Sequence, residues 1–256
     1  MNARGAFLAV LVGALALATT ACVSTTGGRT LNEKDAAKAN LQLGVAYLQQ
    51  NNLALAKEKL ERAEKQDSSL ADTHSALGIL YERLDRKKDA ERQYATSRRL
   101  APESGEVANT YAVFLCSNGK PDAGVKEFEA AARNPLYPTP WAALTNAAVC
   151  LRSAKRDVEA VPYLQQAIQI RPIYSTAVTE LADLQLVAGK HADATETVNR
   201  YLSIGVGSPD VLLVAVRIAQ ARGDANTANS LARRLRRDFP NSEQARAVAQ
   251  FLNEKG

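Results

Sequence analysis

Leu77-Gly78-Ile79-Leu80-Tyr81, then a polar Asp85-Arg86, then Ala90, Tyr94 and Pro102: this stretch decides the fold, because the rest of the chain repeats it. One period upstream stand Leu43-Gly44, Tyr47, Asn51-Asn52, Ala56 and Leu60. The Gly78 position continues as Gly44, Gly78, Ala112, Ala148, Ala182, Val216, at spacings of 34, 34, 36, 34 and 34. The Ala90 position gives Ala56, Ala90, Gly124, Ala160, Ala194, Ala228, and the Tyr94 position gives Leu60, Tyr94, Phe128, Leu164, Val198, Ala232. A fourth series marks unit ends: Ser68, Pro102, Leu136, Pro172, Val206, Pro240. Four series with one period define a repeat array.

The physical logic of one unit is a helix, a turn and a second helix. Small residues at the first two positions let the paired helices approach, and the large apolar residue fills the space between them. Proline stops the second helix, because it lacks an N–H and clashes with the preceding turn. The intervening turns are polar or glycine-bearing: Asn51-Asn52, Asp85-Arg86, Asn118-Gly119-Lys120, Gly189-Lys190, Gly223-Asp224. A unit of this size cannot bury its own apolar face, so stacked neighbours supply the core. The composition agrees: alanine and leucine are abundant while aromatic residues make up only 5%, which favours helices.

The pattern resembles the tetratricopeptide repeat family. Leu43, Gly44, Tyr47, Ala56, Leu60 and Ala63 fit its consensus, as do Leu77, Gly78, Tyr81, Ala90, Tyr94 and Pro102. Units five and six are degenerate, with Gln185 and Ala219 in place of tyrosine. The expected fold is therefore all-α: a right-handed superhelix of six helix–turn–helix repeats over residues 37–242 (37–70, 71–104, 105–140, 141–174, 175–208, 209–242). Residues 243–256 add a C-terminal capping helix and tail, in which Val248 and Phe251 would pack on unit six.

The N-terminus reads as a targeting signal. Arg4 precedes an apolar run from Ala6 to Ala18, too short to span a bilayer and suited to a signal peptide over residues 1–21. It ends in Thr19-Thr20-Ala21-Cys22, which resembles a bacterial lipobox and makes Cys22 the lipidated residue; Thr19 stands where leucine is usual. Ordinary cleavage would leave an odd thiol in a secreted protein. In the lipoproteins this resembles, aspartate after the cysteine retains the chain in the inner membrane. Val23 stands here instead, which implies the outer membrane, with the bilayer bound through N-terminal acyl chains. Residues 22–36 then form a linker.

The net charge is +5 and the pI about 9.1, but acidic and basic residues interleave without accompanying aromatics, so no nucleic-acid partner is expected. The dense run Arg233, Arg234, Arg236, Arg237 reads as a solvated helix face; the functional reading is an acidic partner or anionic headgroups. Catalysis has no residues to use. There are two histidines, His74 at a packing position and His191 at a turn, and no H-E-x-x-H, G-x-S-x-G or P-loop. Neither metal, cofactor nor small-molecule substrate is expected.

In such repeats the first helices line the concave face. The family resemblance places Leu41, Val45 and Leu48 of unit one there, with Ser75, Ile79 and Glu82 of unit two and Asn109 and Val113 of unit three. The C-terminal half is mixed: Thr145, Arg152, Thr179, Asp183, Arg217. An apolar stripe of this kind marks a protein-binding groove; the alternative is that residues 31–40 fold back over Leu41 and Val45. Unit three is two residues longer, near Asn134-Pro135-Leu136-Tyr137-Pro138-Thr139-Pro140, which reads as a bend in the superhelix in preference to a protruding recognition element. Cys116 and Cys150 fall on successive first helices. From spacing alone, a disulfide in an oxidising compartment and two buried thiols stand level.

The passage Asn109-Thr110-Tyr111-Ala112-Val113-Phe114-Leu115-Cys116, with Asn118-Gly119-Lys120, Asn134-Pro135-Leu136-Tyr137 and Asn146-Ala147-Ala148-Val149-Cys150, resembles the PilF/PilW pilotin family of type IV pilus biogenesis lipoproteins. Ala148 departs from it, glycine being commoner there. The resemblance implies a Cys116–Cys150 disulfide and a non-catalytic scaffold whose partner is an outer-membrane secretin subunit, assisted in localisation and multimerisation. The alternatives are a lipoprotein adaptor of another envelope machine or an enzyme-activating subunit.

Overall fold

The computed structural model describes residues 32–205 and 207–253. Residues 1–21, Cys22 and the linker as far as residue 31 lie outside the described residues, as does the side chain of Phe251. The described chain is all-α, six antiparallel helix pairs and a last helix. The pairs are α1 (Glu33–Gln49) with α2 (Leu53–Gln66), α3 (Ala71–Arg83) with α4 (Lys87–Leu100), and α5 (Gly105–Ser117) with α6 (Pro121–Arg133). They continue as α7 (Pro140–Ser153) with α8 (Asp157–Ile170), α9 (Ser175–Val187) with α10 (His191–Ser203), and α11 (Pro209–Ala221) with α12 (Ala225–Asp238). Helix α13 (Glu243–Asn253) closes the array against α11 and α12, with Val248 buried beside Leu212, Val216 and Leu235.

The turn inside each pair is one motif repeated six times. Asn51, Asp85, Gly119, Lys155, Gly189 and Gly223 all have positive φ, between 53° and 73°. The next residue's N–H reaches back five residues to a carbonyl: Asn52 to Tyr47, Arg86 to Tyr81, Lys120 to Leu115, Arg156 to Leu151, Lys190 to Gln185, Asp224 to Ala219, at 2.8–2.9 Å. This left-handed cap satisfies carbonyls the helix end would otherwise orphan.

In the last four pairs the small residue of the first helix and the large one of the second share a core cluster: Ala112 with Phe128, Ala148 with Leu164, Ala182 with Val198, and Val216 with Ala232. Their volumes are traded. A Cβ on Gly44 would stand 2.5 Å from Leu60, and one on Gly78 2.5 Å from Tyr94. Where the large residue shrinks from Phe128 through Leu164 and Val198 to Ala232, the small one becomes Ala112, Ala148, Ala182 and finally Val216. Between units, Tyr94 packs on Phe114 at 5.0 Å between ring centroids and on Tyr111 at 6.2 Å. The Lys120–Glu91, Arg98–Glu127 and Arg156–Asp122 ion pairs, at 2.5–2.6 Å, bridge consecutive units near the surface, where such pairs add little stability each.

The N-terminal boundary differs from the expected linker of residues 22–36. Helix α1 begins at Glu33, because Asn32 caps it through the Lys34 N–H and Glu33 and Asp35 complement its dipole. Residues 33–40 therefore continue α1 and cannot fold back over Leu41 and Val45. The Pro-rich connection is an asparagine-based turn: Asn134 donates to the Glu103 carbonyl and accepts from Leu136 N–H, while Tyr137 lies on Gly105. It leaves Leu136 89% exposed.

Candidate functional site

The first helices α1, α3, α5, α7, α9 and α11 touch one another in order, whereas the second helices touch only their own partner and the next first helix. The first helices thus form the inner, concave layer. One position per unit projects along it: Val45, Ile79, Val113, Val149, then Asp183 and Arg217. Val45 and Ile79 are half-buried against the core; Val113 and Val149 are 45% and 40% exposed. The apolar stripe therefore runs through four units. It ends where Arg217 pairs with Asp183 at 2.6 Å and Arg152 with Glu180.

The expected groove residues divide. Leu41 and Val45 line a shallow open depression with Gln42, Gln49 and Asp72. Ile79 and Val113 join the stripe. Leu48 does not: it is 4% exposed, in the core with Leu60, Leu77 and Leu80, and its carbonyl accepts from Arg83. Ser75 is half-buried and bonded to Ser97 of its own hairpin at 2.8 Å. Glu82 accepts the Tyr94 hydroxyl; burial first, then Glu82 itself, push that phenol above its usual range, so it stays a donor. Asn109 is held by Asn146 at 3.3 Å. Val149 is the lining residue that sequence reasoning missed, although counting 36 residues on from Val113 reaches it.

Cys116 on α5 and Cys150 on α7 are joined as a disulfide in the structure, Cα atoms 5.6 Å apart, beside Val113 and Val149. The bond is accommodated by a glycine. Gly124 stands where the other units have alanine, and a Cβ there would lie 2.3 Å from the Cys116 sulfur and 3.1 Å from the Ala112 carbonyl. His74 is buried, its ring nitrogens at 2.6 Å from Gln93 Oε1 and 2.9 Å from the Ser68 carbonyl. It is a packing residue. No described helix is long and apolar enough to cross a membrane.

Stacked hairpins with a concave first-helix layer define a superhelical repeat scaffold that presents a groove to other polypeptides. Models of the tetratricopeptide repeat match residues 41–105, 115–173 and 151–211, and the chain belongs to that family. Within it, the chain is similar to type IV pilus biogenesis proteins. It is 26% identical over 238 residues to the type IV pilus assembly protein PilF of Pseudomonas aeruginosa, covering 91% of this chain and 94% of that one. The solved structure of Pseudomonas aeruginosa PilF superposes with a TM-score of 0.65 at 25% identity, over 85% of this chain and 98% of that one. PilW, described as a widely conserved type IV pilus biogenesis factor, gives 0.64 at 28% identity, over 83% and 98%. An uncharacterized protein of Haemophilus influenzae is 36% identical over 136 residues, 53% of this chain and 75% of that one.

Proposed function

We propose that this chain is a non-catalytic pilotin: an outer-membrane lipoprotein, acylated at Cys22, whose concave groove binds a secretin subunit of the type IV pilus and promotes its localisation and multimerisation. The observation that carries the reading is the stripe Val45, Ile79, Val113, Val149 on a scaffold similar to PilF and PilW. It suits an apolar segment of a partner laid along the groove, with Asp183 and Arg217 bounding it. Acylation would hold the array at the bilayer, because several chains anchor stably where one does not. Transport belongs to lipoprotein sorting and assembly to burial between secretin subunits, so the scaffold needs no energy source.

The test replaces the two exposed stripe residues, Val113→Asp with Val149→Asp. Each buried valine contact is worth roughly 1.5–3 kcal/mol, so binding should weaken at least tenfold while helix content holds. Secretin multimers in outer membranes and surface pili are then counted. A folded, membrane-bound double variant with normal multimers and pili would sink the reading. Cys22→Ala, followed by palmitate labelling and fractionation, checks the anchor separately.

A further inference from the structure

Four of the ten large aliphatic side chains that stand exposed among the described residues lie on one edge of the array: Leu136, Ile170, Ile173 and Ile204. They lie at three consecutive junctions where a second helix leads into the next first helix: Leu136 after α6, Ile170 as the last residue of α8 with Ile173 just beyond it, and Ile204 after α10. The corresponding turns after α2 and α4 carry Asp67-Ser68-Ser69 and Pro102-Glu103-Ser104. The apolar turns contain no acid at all: none from Ala130 to Ala143, from Ala160 to Thr179, or from Thr197 to Pro209. Each has one arginine, Arg133, Arg171 and Arg200; the carboxylates that meet Arg133 and Arg200, Glu129 and Glu196, sit one helical turn back. Half-buried Tyr137, Trp141 and Tyr174 complete the edge, Arg171 stacking on Trp141 at 4.6 Å.

We propose that this edge rests in the headgroup layer of an anionic bilayer. Protruding aliphatic prongs, amphipathic rings at their base and arginines in turns that themselves carry no acid are the composition of a membrane-interface surface. The prongs stand out as a ridge, which a lipid surface accommodates. Chain direction supplies an independent argument. The first helices run parallel, so α1 enters the array at this same edge: Asn40 bonds Gln66 at 2.8 Å, and Lys34 and Lys38 lie close enough to Asp67 to lower its pKa, after the larger effect of Ser69. Any attachment of the preceding residues to a membrane therefore draws this edge toward it.

The proposal takes the anchor of the proposed function as its source of orientation, and the test supplies that anchor chemically. Trp141 is the chain's single tryptophan and reports the edge directly. The chain from Cys22 onward, which keeps every described helix, is coupled through Cys22 to a maleimide lipid, the single adduct being verified by mass. Vesicles of phosphatidylethanolamine and phosphatidylglycerol carry either brominated or plain acyl chains. Trp141 emission is quenched in the brominated vesicles, more than in brominated phosphatidylcholine. Leu136→Asp with Ile173→Asp abolishes the quenching, whereas Leu84→Asp with Val187→Asp, at the opposite edge, does not. Equal Trp141 emission in brominated and plain anionic vesicles overturns the proposal, as does quenching that survives the Leu136 and Ile173 replacements. Absence of acylation in cells would count against the anchor and leave the vesicle result standing.

Discussion

Lys155 shows how a residue can satisfy a repeat while contradicting its own preference. It has φ 60°, in a position that three other units give to glycine and two to asparagine or aspartate. A side chain with a Cβ incurs a penalty in the left-handed region that glycine escapes, and Asn or Asp partly offset it by local hydrogen bonds. Lys155→Gly should raise stability by about 1 kcal/mol, with Lys155→Asn between the two, measured as urea midpoints at constant slope. If glycine gives no gain, the strain argued for Lys155 does not exist. This turn is also where the sequence was least legible. The other five turns carry Gly, Asn or Asp, whereas Ala154-Lys155-Arg156 carries no such signal and is found only by counting from its neighbours. Leu48 failed differently. Both groove and core positions recur every 34 residues, and a modest rotation of α1 about its axis decides which of them reaches solvent.

Among the elements, the α5–α6–α7 contact is the one built around a covalent bond. Alanine at Gly124 would drive a methyl into the Cys116 sulfur at 2.3 Å. Overpacking of this kind costs on the order of 1–3 kcal/mol. Gly124→Ala should therefore destabilise the oxidised protein by that amount and cost much less in a Cys116→Ala, Cys150→Ala background. A double-mutant cycle by chemical denaturation measures the coupling, and additive effects would show that the sulfur is not what excludes the methyl. The period alone already made Gly124 the exception in an alanine series, in the unit that carries Cys116. What could not be read was the cause, since spacing left two free thiols equally open. The volume trade from Gly44–Leu60 to Val216–Ala232 was likewise visible as two series. Only packing shows that they are two halves of one fit.

At the scale of the whole molecule, the repeat number, the all-α architecture and the capping role of α13 followed from the period, because each unit needs a neighbour to bury its face. The apolar edge did not, because its four prongs come from three junctions of different sequence, one lengthened by two residues, and no period connects them. The Cys116–Cys150 bond has a further bearing on a chain proposed to be held by lipid at one end and by a partner along its length. Tension passing along the backbone crosses from α5 to α7 through sulfur. Helix α6 and everything else from residue 117 to 149 lie outside the loaded path. Stretched between its termini, the oxidised chain should extend about 11 nm less than the reduced one, from 34 residues at roughly 3.4 Å each less the span of the bridge. Single-molecule pulling with and without reductant reads that length directly, and identical extensions would mean the two thiols are free. A bridged array under load keeps α6 and most of α7, at its centre, slack.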